Sequence, residues 1–172
     1  GNGTRTLIAN TVAGMLGLDP HEVEVVVGHS RDVHGPLAGG SRTTSSMVPA
    51  CIDACEQVRD ELLEIAERKG GRATPTDRGA KVGGKTIAWR DLIKDAPQIR
   101  VIGKRKRDPG GYFLPPIMGL AIEKYVSASI QLVEVEVDTR LGKTRATKAS
   151  GAFNIGKIVS EPLAKSQAMG GM

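Results

Sequence analysis

Apolar residues recur at helical spacing in two stretches of the chain and alternate in two others. After the glycine turn GNGTRT, Leu7, Ile8, Val12 and Met15 form one stripe and predict a helix that Gly17 stops. In DPHEVEVVVG, Val23, Val25 and Val27 alternate up to Gly28, which suits a strand and makes a helix-then-strand crossover unit. A polar loop over 28–46 leads to the longest periodic run. Val48, Cys51, Ile52, Cys55, Val58, Leu62, Ile65 and Ala66 predict a long amphipathic helix that ends at KGGR. Its start is expected near Ser45 or Ser46, because Pro49 has no N–H to give and is tolerated in a first turn.

Beyond Gly70 the pattern weakens. KVGGKTIAWRDLIKDA reads as a glycine turn, a short strand and a short helix, and IRVIGKRKRDPGG as a strand running into a basic loop. Residues 70–125 are therefore expected to form a peripheral variable lobe. Alternation returns in VSASIQLVEVEVD, followed by the turn-like TRLG and a second strand, KTRATKASGAFNIG, so a long hairpin is expected at roughly 126–152. The chain then closes with a loop, a short helix and a second diglycine. The predicted class is α+β, helices packed on mixed β-strands with a long hairpin, as one partial domain over 1–172.

Composition narrows the function without naming it. The excess of 24 Lys and Arg over 19 Asp and Glu, a net charge of +5, favours anionic partners but is too small for a nucleic-acid-coating protein. KRKR at 104–107 sits beside Asp108, Pro109 and two glycines, and aromatic residues for base stacking are few, so a solvated loop fits it better than a nucleic-acid site. Cys51 and Cys55 lie one turn apart on the apolar face, with no His or third Cys nearby, and read as buried small hydrophobes. His21, His29 and His34 are scattered without triad or zinc spacing. Glu134, Glu136 and Asp138 alternate with Val133, Val135 and Val137 and are expected to face solvent. No apolar run has membrane-spanning length.

The polar glycine segments carry the remaining chemistry. Gly1–Thr6 and Gly39–Ser46 each open a helix, and Gln167–Gly171 closes the chain. Glycine permits close backbone approach, a helix start offers unpaired N–H groups and partial positive charge, and Ser or Thr adds hydroxyl donors. Such a set can cradle an anionic group. Taken singly, each segment is equally an ordinary capping turn.

The order of these segments resembles the molybdenum-cofactor-binding subunit of the xanthine dehydrogenase and aldehyde oxidase family. It runs from a G-x-G-x-x-T helix, through a strand ending in G-x-[ST] and a GGSRT loop before a long helix, to VEVEVDTRLGKTRATKASGAFNIGKIVSEPLAKSQAMGGM. Residues 70–125 match in layout alone. The resemblance implies a molybdenum ion held by the dithiolene of an anionic pterin phosphate, often extended by a nucleotide. Asn2 and Gly3 fall where the family has Gln-Gly, and Gly40, Ser41, Arg42 and Thr43 fall on its G-S-R-[ST] loop. Gln167, Gly170 and Gly171 fall on its Q-x-x-G-G segment. All nine positions are implied cofactor contacts. No metal ligand and no catalytic residue is implied within the chain, because the family's general base is a glutamate beyond Q-x-x-G-G.

The resemblance further implies a cytoplasmic molybdenum-dependent oxidoreductase that hydroxylates an aldehyde or N-heterocycle with water as oxygen source. Iron–sulfur clusters and FAD would lie on partner domains or subunits, and the rest of the molybdenum subunit would complete the site. The 172 residues read as an internal fragment, a processed piece or a split subunit, inactive alone. The rival expectations are a basic, non-enzymatic nucleic-acid-binding module and a purely structural domain.

Overall fold

The structure is a computed structural model that describes residues 3–33, 35, 38–39, 43–105, 112–113, 121–122 and 127–172. The chain divides into two compact units, Gly1–Arg107 and Asp108–Met172. The architecture is α+β.

In the first unit, helix α1 spans Thr4–Leu16, a 3-10 turn spans Pro20–Glu22, and helix α2 spans Thr43–Gly70. Strands β1 (Ala73–Thr76), β2 (Gly79–Val82) and β3 (Lys85–Ala88) form an antiparallel meander, and helix α3 (Trp89–Asp95) follows directly. The register pairs Ala80 with Ile87 and Val82 with Lys85 across the Gly83–Gly84 turn. Ala80 and Val82 are buried while Lys81 between them is exposed, the parity of a sheet with one covered face.

That face packs on α2 and α3. The core joins Leu62 and Ala66 of α2 to Ala80, Val82, Trp89 and Leu92, with Val58, Ile65, Ile87, Ile93 and Ile99 around them. Trp89 is 0 % exposed. Its indole lies where β3 turns into α3, so one large side chain seals strand, helix and α2 together. Residues 73–99, expected to be peripheral by their weak pattern, thus supply most of the deepest burial in this unit.

Several sequence expectations change. The buried face of α1 is Leu7, Thr11, Ala13 and Leu16, and Thr11 is accommodated because its hydroxyl donates to the Leu7 carbonyl at 2.7 Å. Helix α2 starts at Thr43, earlier than Ser45 or Ser46, which moves Pro49 from the first turn into the helix body. There its ring removes one rung of the hydrogen-bond ladder. The strand expected at 23–27 forms no ladder among the described residues. Val23, Val25 and Val27 are nevertheless half-buried and Glu24 and Val26 exposed, so the alternation records one covered side of an extended segment. Similarly, Gln98–Arg105 is a strap without strand pairing.

The strap is held on α2 by side chains of α2. Asp53 accepts from the Lys104 N–H at 2.9 Å and from the Gln57 amide at 2.9 Å, and Gln57 donates to the Ile102 carbonyl at 3.2 Å. Between those bonds Gly103 comes so close that a β-carbon on it would stand 2.0 Å from the Ala50 carbonyl oxygen.

The second unit contains the β-pair β4 (Tyr112–Phe113) and β5 (Ala121–Ile122), the hairpin β6 (Ala128–Asp138) and β7 (Lys143–Asn154), and helix α4 (Glu161–Gly171). The Asp138 carboxylate accepts from the Arg140 and Leu141 N–H groups and closes the hairpin turn. A bulge lies between Glu134 and Val135: Glu134 pairs with Lys148 but Val135 with Ala146, so Thr147 is the extra residue. Glu134, Glu136 and Asp138 are exposed as expected, with ion pairs from Glu134 to Lys148 at 3.4 Å and from Glu136 to Arg145 at 2.7 Å. Val133, Val135 and Val137 on the other face are also exposed among the described residues, whereas alternation alone implied a covered side.

The strap yields a paired prediction. Gly103→Ala is expected to destabilise by about 1–3 kcal/mol, since the atoms it meets are helix backbone that cannot step aside. Gly14→Ala on α1, where a β-carbon meets nothing within 4 Å, is expected to stabilise by about 0.5–1 kcal/mol. Urea denaturation midpoints of the two variants moving in the same direction would remove the strap from its place on α2.

Candidate functional site

The site is built from helix starts. At α1 the N-cap residue is Gly3, in the left-handed region at φ 72°, and no side chain caps the helix. A residue with a β-carbon there would cost about 1–2 kcal/mol. The Gly3 carbonyl accepts from the Leu7 N–H at 3.0 Å, so Gly3 begins the helical ladder and orients the first-turn N–H groups beside it. Thr43 is the first residue of α2, followed by Thr44, Ser45 and Ser46, so four hydroxyls occupy that first turn.

The charge at these two starts is unusual within the molecule. The 3-10 turn, α3 and α4 each carry an acidic residue in the first turn, Glu22, Asp91 and Glu161 respectively. Neither α1 nor α2 does. Acidic residues normally answer the partial positive charge of a helix N-terminus, and α1 and α2 have none in their first turns. Thr4, Thr6 and residues 43–46 carry neutral hydroxyls where the other helix starts carry a carboxylate.

Of the positions inferred from sequence, Gly3 and Thr43 stand at these two helix starts in the first unit, and α1 packs on α2. Asn2, Gly40, Ser41 and Arg42 lie outside the described residues. Gln167, Gly170 and Gly171 belong to α4 in the second unit. The diglycine falls within the last turn of α4, and Gln167 is exposed. Carbonyl groups face outward at that end of a helix, so any donor to an anion must come from the Gln167 carboxamide.

Other candidate chemistry resolves into structure. His29 takes part in a local turn, accepting from the Arg31 N–H at 3.2 Å, and His21 donates its N–H to Asp19 in a capping box. Both are exposed; His34 lies outside the described residues. No group of three or more His, Cys, Asp or Glu able to hold a metal occurs among the described residues. Of KRKR, Lys104 and Arg105 continue the strap, and Lys106 and Arg107 lie outside the described residues. Burial pushes the Cys51 thiol up and the Cys55 thiol up to about 11, the reverse of an activated nucleophile or ligand.

One important residue was not singled out from sequence. Arg59, in the middle of α2, donates to the Met15 carbonyl at the end of α1 and to the Asp77 carbonyl at 3.4 Å, and its guanidinium lies 5.2 Å from the Trp89 ring centroid. A lone Arg in an amphipathic helix carries no local signal of such a role. Its position one turn from Cys55 and three residues before Leu62, toward the apolar face, is the available hint.

The first unit thus opens α1 on a left-handed glycine without a side-chain cap and α2 on a run of hydroxyl residues, with no acid in the first turn of either. The chain matches the family described as the molybdopterin cofactor-binding domain over residues 1–172, and it belongs to that family. No curated protein matches the chain. Among the described residues, no helix is long and apolar enough to cross a membrane.

The thiols give a pH prediction. Because the folded pKa of Cys55 lies above its ordinary value of 9.0, the unfolded chain releases a proton between pH 9 and about 11 that the folded chain keeps. Stability contributed there is fully present below pH 9 and lost as pH rises through that window. Denaturation midpoints of the wild type are expected to fall relative to Cys55→Ala over that range. A constant difference between the two would refute the burial of this thiol.

Proposed function

We propose that the chain forms part of the cradle for a molybdenum–pterin cofactor in a molybdenum hydroxylase of the xanthine dehydrogenase and aldehyde oxidase type. The observation that carries the reading is the pair of acid-free helix starts at Gly3 and Thr43, in a chain that belongs to a molybdopterin cofactor-binding family throughout its length. When bound, the cofactor supplies a molybdenum centre that transfers oxygen from water to a carbon next to nitrogen or oxygen, releasing two electrons.

This chain's residues do the holding. The backbone at Gly3 approaches the pterin, with Asn2 beside it as a shorter version of the glutamine the resemblance implies. Gly40, Ser41, Arg42 and Thr43 are assigned to the phosphate, offering N–H groups, hydroxyls and one guanidinium whose planar fork can bond two phosphate oxygens at once. Gln167 donates to the cofactor, and Gly170 and Gly171 leave room for it. None of these groups is assigned an acid–base role. The general base, the substrate pocket, the iron–sulfur clusters and the FAD belong to other segments or partner subunits, and the compartment is the cytoplasm. On this reading, the role of residues 1–172 is to hold the cofactor.

Molybdenum and pterin content per chain, measured on the native preparation with copurifying polypeptides retained, tests the reading. Near-stoichiometric molybdenum is expected, reduced roughly 10-fold or more when Arg42→Ala or Gln167→Ala is placed in the parent complex. A metal-free parent complex would overturn it. Salt-dependent binding of unrelated nucleic acid by that metal-free protein would favour the basic binding module instead.

A further inference from the structure

Helix α1 begins at the turn proposed to hold the cofactor, and its other end is tied to the core of the unit. Along its length it is held by Leu7, Thr11, Ala13 and Leu16, with Ile8, Val12 and Met15 half-buried. Apolar contact of this kind resists separation more than it resists a small slide or rotation, because it is non-directional. At this end the helix accepts a directional bond from Arg59.

Four features define that bond. The Met15 carbonyl is one of the last four of α1 and has no helical N–H to accept from; Arg59 donates to it. A cation at this end also complements the helix dipole. The same nitrogen reaches the Asp77 carbonyl at 3.4 Å, in the turn between β1 and β2. The guanidinium carbon lies over the ring of Trp89, 5.2 Å from its centroid, and that ring is 0 % exposed in the core of the unit. Arg59 therefore references the end of α1 to the least movable part of the first unit. Just beyond, Glu22 of the 3-10 turn pairs with Arg90 of α3, but that pair is exposed and contributes less.

Packing alone does not account for a guanidinium here. The Arg59 Nε is buried without a hydrogen-bond partner, as is the Trp89 Nε1. A methionine of similar volume would avoid that desolvation cost, and such replacements are often neutral or stabilising. The arginine supplies instead a fixed direction. A helix of 13 residues is a rigid rod about 20 Å long, so an axial shift at Met15 reappears at Gly3.

We propose that Arg59 is a positioning residue for the cofactor-holding turn at Gly3, acting through α1 without touching the cofactor. The proposal rests on the cofactor reading above. Its test compares Arg59→Met and Arg59→Lys with wild type in the complete parent complex, by molybdenum and pterin content, the electron paramagnetic resonance signal of the reduced molybdenum centre, thermal midpoint, and amide exchange across Thr4–Leu16. Arg59→Met is expected to fold, to exchange α1 amides faster, to retain roughly 10-fold less molybdenum, and to broaden the resonance of what remains. Arg59→Lys, with its charge kept and its fork lost, is expected to recover part of the loading.

Folded Arg59→Met that loads fully with an unchanged resonance overturns the proposal. Should Arg59→Met fail to fold, Arg59→Lys decides, since full loading with the wild-type signal overturns the proposal and partial loading in a folded protein supports it. If the wild type itself holds no molybdenum, the cofactor reading has failed. The clamp is then judged by α1 amide exchange alone, and rates equal to wild type in Arg59→Met overturn it as well.

Discussion

The burial of Trp89 against Leu62 and Ala66 is the contact on which the first unit depends. It is made where a strand becomes a helix, so a single indole fixes β3, α3 and α2 at once. Removing a large aromatic from such a place costs about 3–5 kcal/mol, a large share of the stability of an ordinary domain. Both helices that open at the proposed first-unit contacts are attached to this point. The first half of α2 extends from it, and α1 is tied back to it through the guanidinium that lies over the same ring.

The arrangement separates stability from binding along the length of two helices. In α2 the C-terminal half carries the fully buried Leu62 and Ala66, while the N-terminal half ends in the hydroxyl run at 43–46. In α1 the C-terminal end is bonded and the N-terminal end is a left-handed glycine without a cap. Helices suit this division because their stiffness carries a fixed position outward. Their dipoles place partial positive charge at the proposed cofactor contacts Gly3 and Thr43. The strap contributes in the same way, with Asp53 and Gln57 drawing Gly103 onto α2 between the core and the helix start.

How much of this is legible in the residues varies with the physics involved. The long helix and the hairpin are carried by strong periodicity, and both form close to the expected limits. Val23–Val27 shows where periodicity stops short: alternation reports that one side is covered, while a strand also needs a neighbour to bond with. Residues 73–99 look marginal because their strands are four residues long, and their importance comes from what α2 brings to them. Of the nine proposed cofactor contacts, Gly3 owes its visibility to a glycine motif whose required conformation the structure displays. The acid-free first turns are equally plain in the sequence once helix boundaries are known. Arg59 was not, because its partners are backbone carbonyls 44 and 18 residues away.

The bulge in the hairpin acts on the chain as a frameshift acts on a message. Continued without Thr147 as an extra residue, the pairing that sets Glu134 against Lys148 would run on to set Val135 against Thr147, Glu136 against Ala146 and Val137 against Arg145. The extra residue restores Glu136 to Arg145 and Asp138 to Lys143, so three acids meet three bases down one face. It also assigns Ala146 and Ala149, which differ in parity, to the same apolar face as the valines. The segregation of charge and oil on this ribbon is thus encoded by counting: deleting Thr147 would leave Lys148 opposite Glu134 and Ala146 opposite Val135, whereas pairing it as an ordinary strand residue would scramble both faces without changing the character of either strand.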